Sequence, residues 1–310
     1  MDEVVLAIEP DARRLLAGLL ALIMFSVALG LRPRDFREVL QRPRPVLVGL
    51  VAQVLALPAL TLLLSLVLAP TPSIALGMIV VAACPGGNVS NFLTLISRGD
   101  AALSVTLTAL TSTLAVVATP ASILFWASLN PSIRLLIDSI GLDAADFFAQ
   151  TVVTLALPLA AGMGLNHMAP RLARRLERPL RHVSFLVLLV FIGASLVGNW
   201  HHLRLFGTVV VPVAIAHNAA ALGLGALAGR LAGPGSAVRR TLVFEVGIQN
   251  SGLGLVILLS HFAGLGGAAL LTAAWGLWHI VSGLTLAGAF RLADQRRARL
   301  AVPSLPPTPR

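Results

Sequence analysis

The stretch CPGGNVSNFLTLISRGD, residues 84–100, interrupts an apolar part of the chain with helix-breaking and polar residues. The segment 85–87 (PGG) breaks a helix, because proline lacks a backbone donor and glycine is conformationally permissive. The polar residues Asn88 and Asn91 follow directly. An apolar chain that breaks its backbone and places amide groups at the break is expected to have a binding site there.

The composition is that of an integral membrane protein. Hydrophobic residues make up 57% of the chain and charged residues 12%, whereas a soluble domain carries about 25% charged residues. The 23 basic residues are all arginine and stand in short gaps between apolar runs. Because they are not clustered on a soluble surface beside aromatic residues, a nucleic-acid partner is excluded. No obligate protein partner is evident, and the single Cys84 excludes a cysteine-based metal cluster.

Apolar runs of about twenty residues predict an all-α polytopic membrane protein with nine transmembrane helices. The predicted spans are 12–31, 44–68, 73–97, 101–127, 147–168, 183–199, 206–230, 239–262 and 267–290. The polar, proline-rich segment 294–310 is predicted to be a disordered cytoplasmic tail.

Arginine is concentrated in alternate gaps, namely those after the first, third, fifth, seventh and ninth spans. Cytoplasmic loops retain arginine, so the C-terminus is predicted to be cytoplasmic and the N-terminus, nine spans away, to be outside. The lipid bilayer that these spans cross is expected to be the cell inner membrane.

Glu245 is the one acidic residue that lies inside a predicted span. A carboxylate at the bilayer centre costs about 3 kcal/mol or more, and the sequence places no basic residue at its depth. It is therefore protonated or neutralised by a cation. Gln249 and Asn250 follow within about one helical turn, with Gly247 between. Carboxylate, amide and backbone carbonyl oxygens suit a hard cation such as Na⁺.

The segments NVSNFLTLI (88–96) and IQNSGLGLVI (248–257) resemble each other as polar breaks followed by apolar helices. An odd number of predicted crossings separates them, so they run in opposite directions. Paired broken segments in two halves of a chain are the best sequence indication of a transporter's binding site.

Two motifs identify a family resemblance. CPGGNVSNFLTLISRGDAALSVTLT (84–108) and FEVGIQNSGL (244–253) resemble the conserved motifs of the bile acid:sodium symporter family. The resemblance runs over nearly the whole chain and includes AHN (216–218) and WHIVSG (278–283). Close relatives often have asparagine where this chain has Ile280, which leaves the substrate open.

The resemblance implies a panel domain and a core domain with inverted repeats and two crossing discontinuous helices. The panel would comprise 1–43 and 147–199. The core would comprise 44–127, broken near 85–90, and 206–290, broken near 246–252.

The resemblance also implies two Na⁺ ions and one anion site. The first sodium site would use Ser90, Asn91, Ser104, Thr108 and Glu245. The second would use Gln53, Glu245, Gln249 and the carbonyls of Val246 and Ile248. The substrate would lie near Asn88, Asn250 and His279, beside half-helix N-termini that favour an anion.

The expected function is therefore sodium-coupled import of an organic anion, either a small carboxylate or a bile-acid-like molecule, by alternating access. The protein is not expected to be an enzyme. Two alternatives use the same fold: a proton-coupled carrier with Glu245 as the proton site, and an effluxer like the arsenite exporters with Cys84 as a thiol contact.

Overall fold

A computed structural model describes residues 10–31, 41–198, 200–262 and 265–300. These residues form twelve helices in chain order. They are α1 (Pro10–Gly30), α2 (Pro43–Leu68), α3 (Pro72–Ala83), α4 (Asn88–Ile96), α5 (Ala101–Ser128), α6 (Pro131–Ser139), α7 (Ala144–Met168), α8 (Pro170–Gly198), α9 (Trp200–Leu231), α10 (Ser236–Gly247), α11 (Ser251–His261) and α12 (Gly266–Leu300).

Five of the described helices are long and apolar enough to cross a membrane: α2, α5, α7, α12 and the part of α9 from Gly207. Three shorter apolar helices accompany them, Gly18–Gly30 within α1, α3 and α11. The helical, multi-pass membrane architecture predicted from the composition is confirmed. The count of nine spans and the division into panel and core stay predictions.

Two short extended breaks occur in the chain, each between two successive helices. One break, 84–87, lies between α3 and α4, and the other, 248–250, lies between α10 and α11. The breaks pair with each other through an antiparallel bridge between Gly86 and Gln249. In addition, the Asn250 amide donates to the Pro85 carbonyl at 2.9 Å. This pairing satisfies backbone groups that would be costly if left bare within a membrane.

Glycines let α9 lie close against α10. A Cβ on Gly225 would come within 2.5 Å of the Leu242 carbonyl oxygen, and one on Gly229 within 2.8 Å of the Arg239 Cα. Small residues at such a contact allow two membrane helices to approach closely. The close packing fixes α10, and with it Glu245, against the long helix α9.

A π-helical turn at Ala52–Ala56 interrupts α2. Within it the Leu57 amide donates to the Ala52 carbonyl, five residues earlier. Pro58 has no amide hydrogen with which to continue the α-helical pattern, and proline is a recognised cause of such irregularity. The turn contains Gln53, which is buried.

The structure adds one helix that was not predicted and changes one predicted boundary. α6, an amphipathic helix, lies between the predicted fourth and fifth spans. The predicted start of the disordered tail at 294 is wrong, because α12 continues to Leu300. Asp294 on this extension receives a bidentate pair from Arg240 at 2.5 and 2.7 Å, which anchors the helix. Residues 301–310 lie outside the described part of the chain.

Candidate functional site between the two broken helices

Glu245 is completely buried on α10, and two hydroxyl groups of α5 hold its carboxylate. The Ser104 hydroxyl donates to Oε1 at 2.5 Å, and the Thr108 hydroxyl donates to Oε2 at 3.0 Å. Residues four apart lie on one face of a helix, so α5 presents both hydroxyls together. Hydrogen bonds to a charged acceptor are stronger than neutral ones and orient the carboxylate.

Asn91, in the first turn of α4, completes this cluster. Its Oδ1 lies 2.7 Å from the Ser104 hydroxyl oxygen and 3.4 Å from the Thr108 hydroxyl oxygen. Each hydroxyl has a single hydrogen, so it can donate either to Asn91 or to Glu245 at one time. The structure thus brings together the five residues predicted for the first sodium site. The fifth, Ser90, is buried near the Glu245 carboxylate, and its hydroxyl donates to the Gly87 carbonyl of its own segment at 2.7 Å.

The described residues supply no cationic side chain to Glu245. Their ion pairs are Arg42–Asp100, Arg98–Asp294, Arg181–Glu177 and Arg240–Asp294. A buried carboxylate without a cationic partner is strongly disfavoured, so a proton or a metal ion must neutralise it. The surrounding carboxylate, amide and hydroxyl oxygens are hard ligands of the kind that alkali and alkaline-earth cations prefer.

A second cluster of oxygens lies beside the first. The Gln53 amide donates to Oε1 of Gln249 at 3.2 Å, and the Gln249 amide donates to the Val246 carbonyl at 2.9 Å. Oε1 of Gln53 is buried and has no hydrogen-bond partner among the described residues. An unpaired buried acceptor at this position fits a cation. Ile248 stands at the same break, and its amide donates to the Phe244 carbonyl at 2.9 Å.

Gly86 stands between the two clusters. An ideal Cβ on this residue would lie 3.1 Å from Gln53 Nε2 and 3.1 Å from Glu245 Oε2. Both distances are tighter than ordinary van der Waals contacts. The missing side chain at Gly86 therefore leaves room for the polar atoms of both predicted sodium sites.

Polar residues of the AHN segment (216–218) on α9 support the second break. The Asn218 amide donates to the Gly247 carbonyl at 2.8 Å, and the Ser282 hydroxyl donates to Asn218 Oδ1 at 2.6 Å. Asn218 thereby satisfies a carbonyl that the end of α10 leaves without an intrahelical donor. His217 beside it lies 2.8 Å from the Thr61 hydroxyl.

A cavity of about 630 Å³ lies against the crossing of the breaks. Its wall includes the three residues predicted to contact substrate, Asn88, Asn250 and His279. His279 is held by its Nδ1, which lies 3.0 Å from the Trp275 carbonyl, and its ring stacks on that of Trp275. Two other helices also line the cavity, with Ile23, Ser26 and Val27 of α1 and Arg181, His182 and Ser184 of α8. These α1 and α8 residues were not among the predicted site residues.

The N-terminus of α4 meets this cavity without a side-chain cap. Its N-cap is Gly87, whereas Asn250 caps α11 by accepting from the Leu253 amide at 3.1 Å. Gly87, Asn88 and Val89 all line the cavity. Unpaired amide groups at a helix N-terminus favour an anion. Cys84 is buried and does not line this cavity, so it offers no thiol contact there.

Comparison with known proteins finds matches that cover most of this chain. The profile of the sodium bile acid symporter family matches residues 17–204. An uncharacterized sodium-dependent transporter of Bacillus subtilis (strain 168) is 31% identical over 268 residues, which cover 86% of this chain and 80% of that protein. The probable sodium/metabolite cotransporter BASS1 of Arabidopsis thaliana chloroplasts is 30% identical over 272 residues, 88% of this chain and 65% of that protein.

The ileal sodium/bile acid cotransporter of Homo sapiens is 30% identical over 244 residues. That alignment covers 76% of this chain and 66% of the human protein. The chain thus spans four fifths of the bacterial relative and just under two thirds of the plant and human relatives.

Proposed function

The chain belongs to the sodium bile acid symporter family, and we propose that it imports a small organic anion across the cell inner membrane by symport with two Na⁺ ions. The family is one of membrane transporters, so the protein is not an enzyme. The relatives named above are sodium-dependent transporters or sodium cotransporters, which supports sodium coupling here.

One observation carries the proposal. Glu245 is fully buried, is held by Ser104 and Thr108, and forms no ion pair among the described residues. The first Na⁺ would exchange the hydrogen bonds among Asn91, Ser104, Thr108 and Glu245 for direct coordination, with Ser90 able to join. The second would be coordinated by the side chains of Gln53, Gln249 and Glu245 and by the carbonyls of Val246 and Ile248. Oε1 of Gln53, which has no hydrogen-bond partner among the described residues, would then bind the ion.

The proposed sites are close enough along the chain to couple ion binding to substrate binding. Asn91 of the first sodium site lies on α4 about one turn from Asn88, which lines the cavity. Gln249 of the second site is adjacent to Asn250, which also lines the cavity. Sodium bound at both sites would hold in place the N-termini of α4 and α11, which present backbone amide groups to the anion. Two positive charges against one carboxylate would also favour an anionic substrate.

The arrangement of helices supports a cytoplasm-facing state. The cavity extends toward the arginine-rich end of the molecule, where Leu95, Ala101 and Arg181 line it. Toward the other end α1 packs against α11, and Leu20, Met24 and Leu259 belong to one apolar cluster there. We assign α1, α7 and α8 to the panel and the remaining long helices to the core. Movement of the core against the panel would then close one end and open the other.

Transport by purified protein in proteoliposomes tests this function. An inward Na⁺ gradient is expected to drive uptake of a radiolabelled carboxylate, and an equal K⁺ gradient is not. Uptake driven by a pH gradient and indifferent to Na⁺ would replace the proposal with the proton-coupled carrier. Arsenite efflux that is lost in Cys84→Ser would favour the exporter-like alternative.

A further inference from the structure

Arg181 is the one arginine among the described residues that line the cavity. It comes from α8, whereas Asn88, Asn250 and His279 come from the broken helices and α12. No aspartate or glutamate is among the described residues that line this cavity. The cavity therefore offers an anion a guanidinium group from α8 and helix N-termini from the crossing.

The guanidinium of Arg181 is held by an ion pair with Glu177 and keeps further N–H donors for a ligand. Its Nη2 donates to Glu177 Oε1 at 2.5 Å, one helical turn away. Gly30 of α1 leaves room for this pair, since a Cβ there would lie 3.2 Å from Glu177 Oε1. The Nε of Arg181 is buried and has no hydrogen-bond partner within the described chain. A guanidinium carries five N–H donors, so one engaged group leaves others for a ligand.

The α4 N-terminus and Arg181 lie at different depths along the helix axes. On α4 the cavity wall runs from Asn88 to Leu95, a distance of seven residues or about 10 Å of helix. On α1 the wall includes Ile23, and Gly30, which touches the Arg181 pair, lies seven residues further on. The surface between the two ends is mostly apolar, with Val27, Phe92 and Leu284 among its residues.

We propose that Arg181 binds a second anionic group of the transported molecule, so that the preferred substrate is an elongated dianion with an apolar middle. This inference rests on the proposed function, which supplies the first anion position at the crossing. A planar guanidinium can hold a carboxylate through two parallel hydrogen bonds, which adds specificity as well as affinity. A molecule with one acidic group would bind at the crossing of the two breaks, and Arg181 would keep only its ion pair with Glu177.

Thermal unfolding of the full chain in detergent tests the inference. The probes are unbranched dicarboxylates from succinate to dodecanedioate, each compared with the monocarboxylate of equal length, in NaCl or choline chloride. In NaCl the longer dicarboxylates are expected to bind about tenfold or more tightly than their monocarboxylates. Arg181→Gln should remove that difference, and monocarboxylate binding should keep its sodium dependence. Arg178→Gln, an exposed arginine of the same helix outside the cavity wall, should change neither.

Equal affinities for dicarboxylates and monocarboxylates in the unaltered chain would overturn the inference alone, provided that monocarboxylates bind with Na⁺. If no carboxylate of either kind stabilises the protein with Na⁺, the proposed function fails as well. Arg181→Lys keeps the charge opposite Glu177 but not the planar fork, so it is expected to fold and to lose part of the dicarboxylate preference. Full retention of that preference in both Arg181 variants would also overturn the inference.

Discussion

Gly86 pairs with Gln249 through an antiparallel backbone bridge, and this pairing joins the two breaks that carry the proposed sodium sites. Gly86 also lies close to Glu245 and Gln53, since its ideal Cβ would be 3.1 Å from a polar atom of each. One backbone position thus contacts both clusters of oxygens. Its substitution is a direct test of whether the space between those clusters matters.

Gly86→Ala is expected to lower the sodium affinity of transport. The added methyl group would press on Glu245 Oε2 and Gln53 Nε2, and neither buried group has room to withdraw freely. The measurement is the sodium concentration that gives half-maximal uptake in proteoliposomes, which should rise about tenfold or more if one charge-assisted contact is lost.

Gly164→Ala, on α7, is the control for that experiment. A Cβ on Gly164 would have no atom within 4 Å, and the residue lines neither the sodium clusters nor the cavity. Its sodium dependence should stay close to that of the unaltered chain. Equal losses in the two variants would mean that the loss in Gly86→Ala does not come from the space between the clusters.

Thr108→Val tests the hydroxyl groups of the first site. It keeps the shape of the side chain but removes the donor to Glu245 Oε2 at 3.0 Å. The sodium concentration for half-maximal uptake is expected to rise about threefold to tenfold. Thr113→Val is the control, since that hydroxyl donates to the Ala109 carbonyl of its own helix. Unchanged sodium dependence in Thr108→Val would remove this residue from the site.

Gln53→Ala tests whether a second ion binds. Removing the unpaired Oε1 should weaken the second site and leave the cluster around Ser104 and Thr108 intact. Because the Hill coefficient cannot exceed the number of sites, the sodium dependence of uptake should be cooperative in the unaltered chain and lose that cooperativity in the variant. Gln150→Ala, at an exposed position, should retain it. A noncooperative sodium dependence in the unaltered chain would contradict two-ion coupling.

Asn218→Ala tests the support of the second break. It removes the donor to the Gly247 carbonyl and leaves this acceptor unsatisfied, which costs about 1–3 kcal/mol of the free energy of unfolding. Thermal unfolding in detergent should occur at a lower temperature with and without Na⁺. Thr285→Ala, whose exposed hydroxyl bonds its own helix, should change little. Equal stability of the two variants would show that Asn218 does not hold the break.

The sequence was sufficient to predict the elements that depend on local chemistry. Helix breakers at 85–87 and Gly247 beside the lone carboxylate at 245 predicted the two interruptions, since proline, glycine and buried charge act through rules that need no tertiary structure. The family resemblance implied Asn91, Ser104 and Thr108 as ligands, and the structure places these residues beside Glu245.

What the sequence missed depends on relations between distant helices. The direction of the Ser90 hydroxyl, which donates to Gly87, cannot be derived from its place in a motif. Arg181 was assigned to a loop that sets topology, and only the packing of α8 against α1 shows it at the cavity. Two local signals could have been used. Pro58 indicates an irregular turn near Gln53, and the arginines and acids around 294 permit a longer last helix.

The most direct test of sodium binding is a titration of thermal stability with NaCl, at ionic strength held constant with KCl, for the unaltered chain and for Glu245→Gln. A ligand that binds only the folded state stabilises it in proportion to the logarithm of its concentration above Kd. Na⁺ is expected to raise the unfolding temperature of the unaltered chain and to leave that of Glu245→Gln unchanged. An equal rise in both proteins, or none in the unaltered chain, would contradict this prediction.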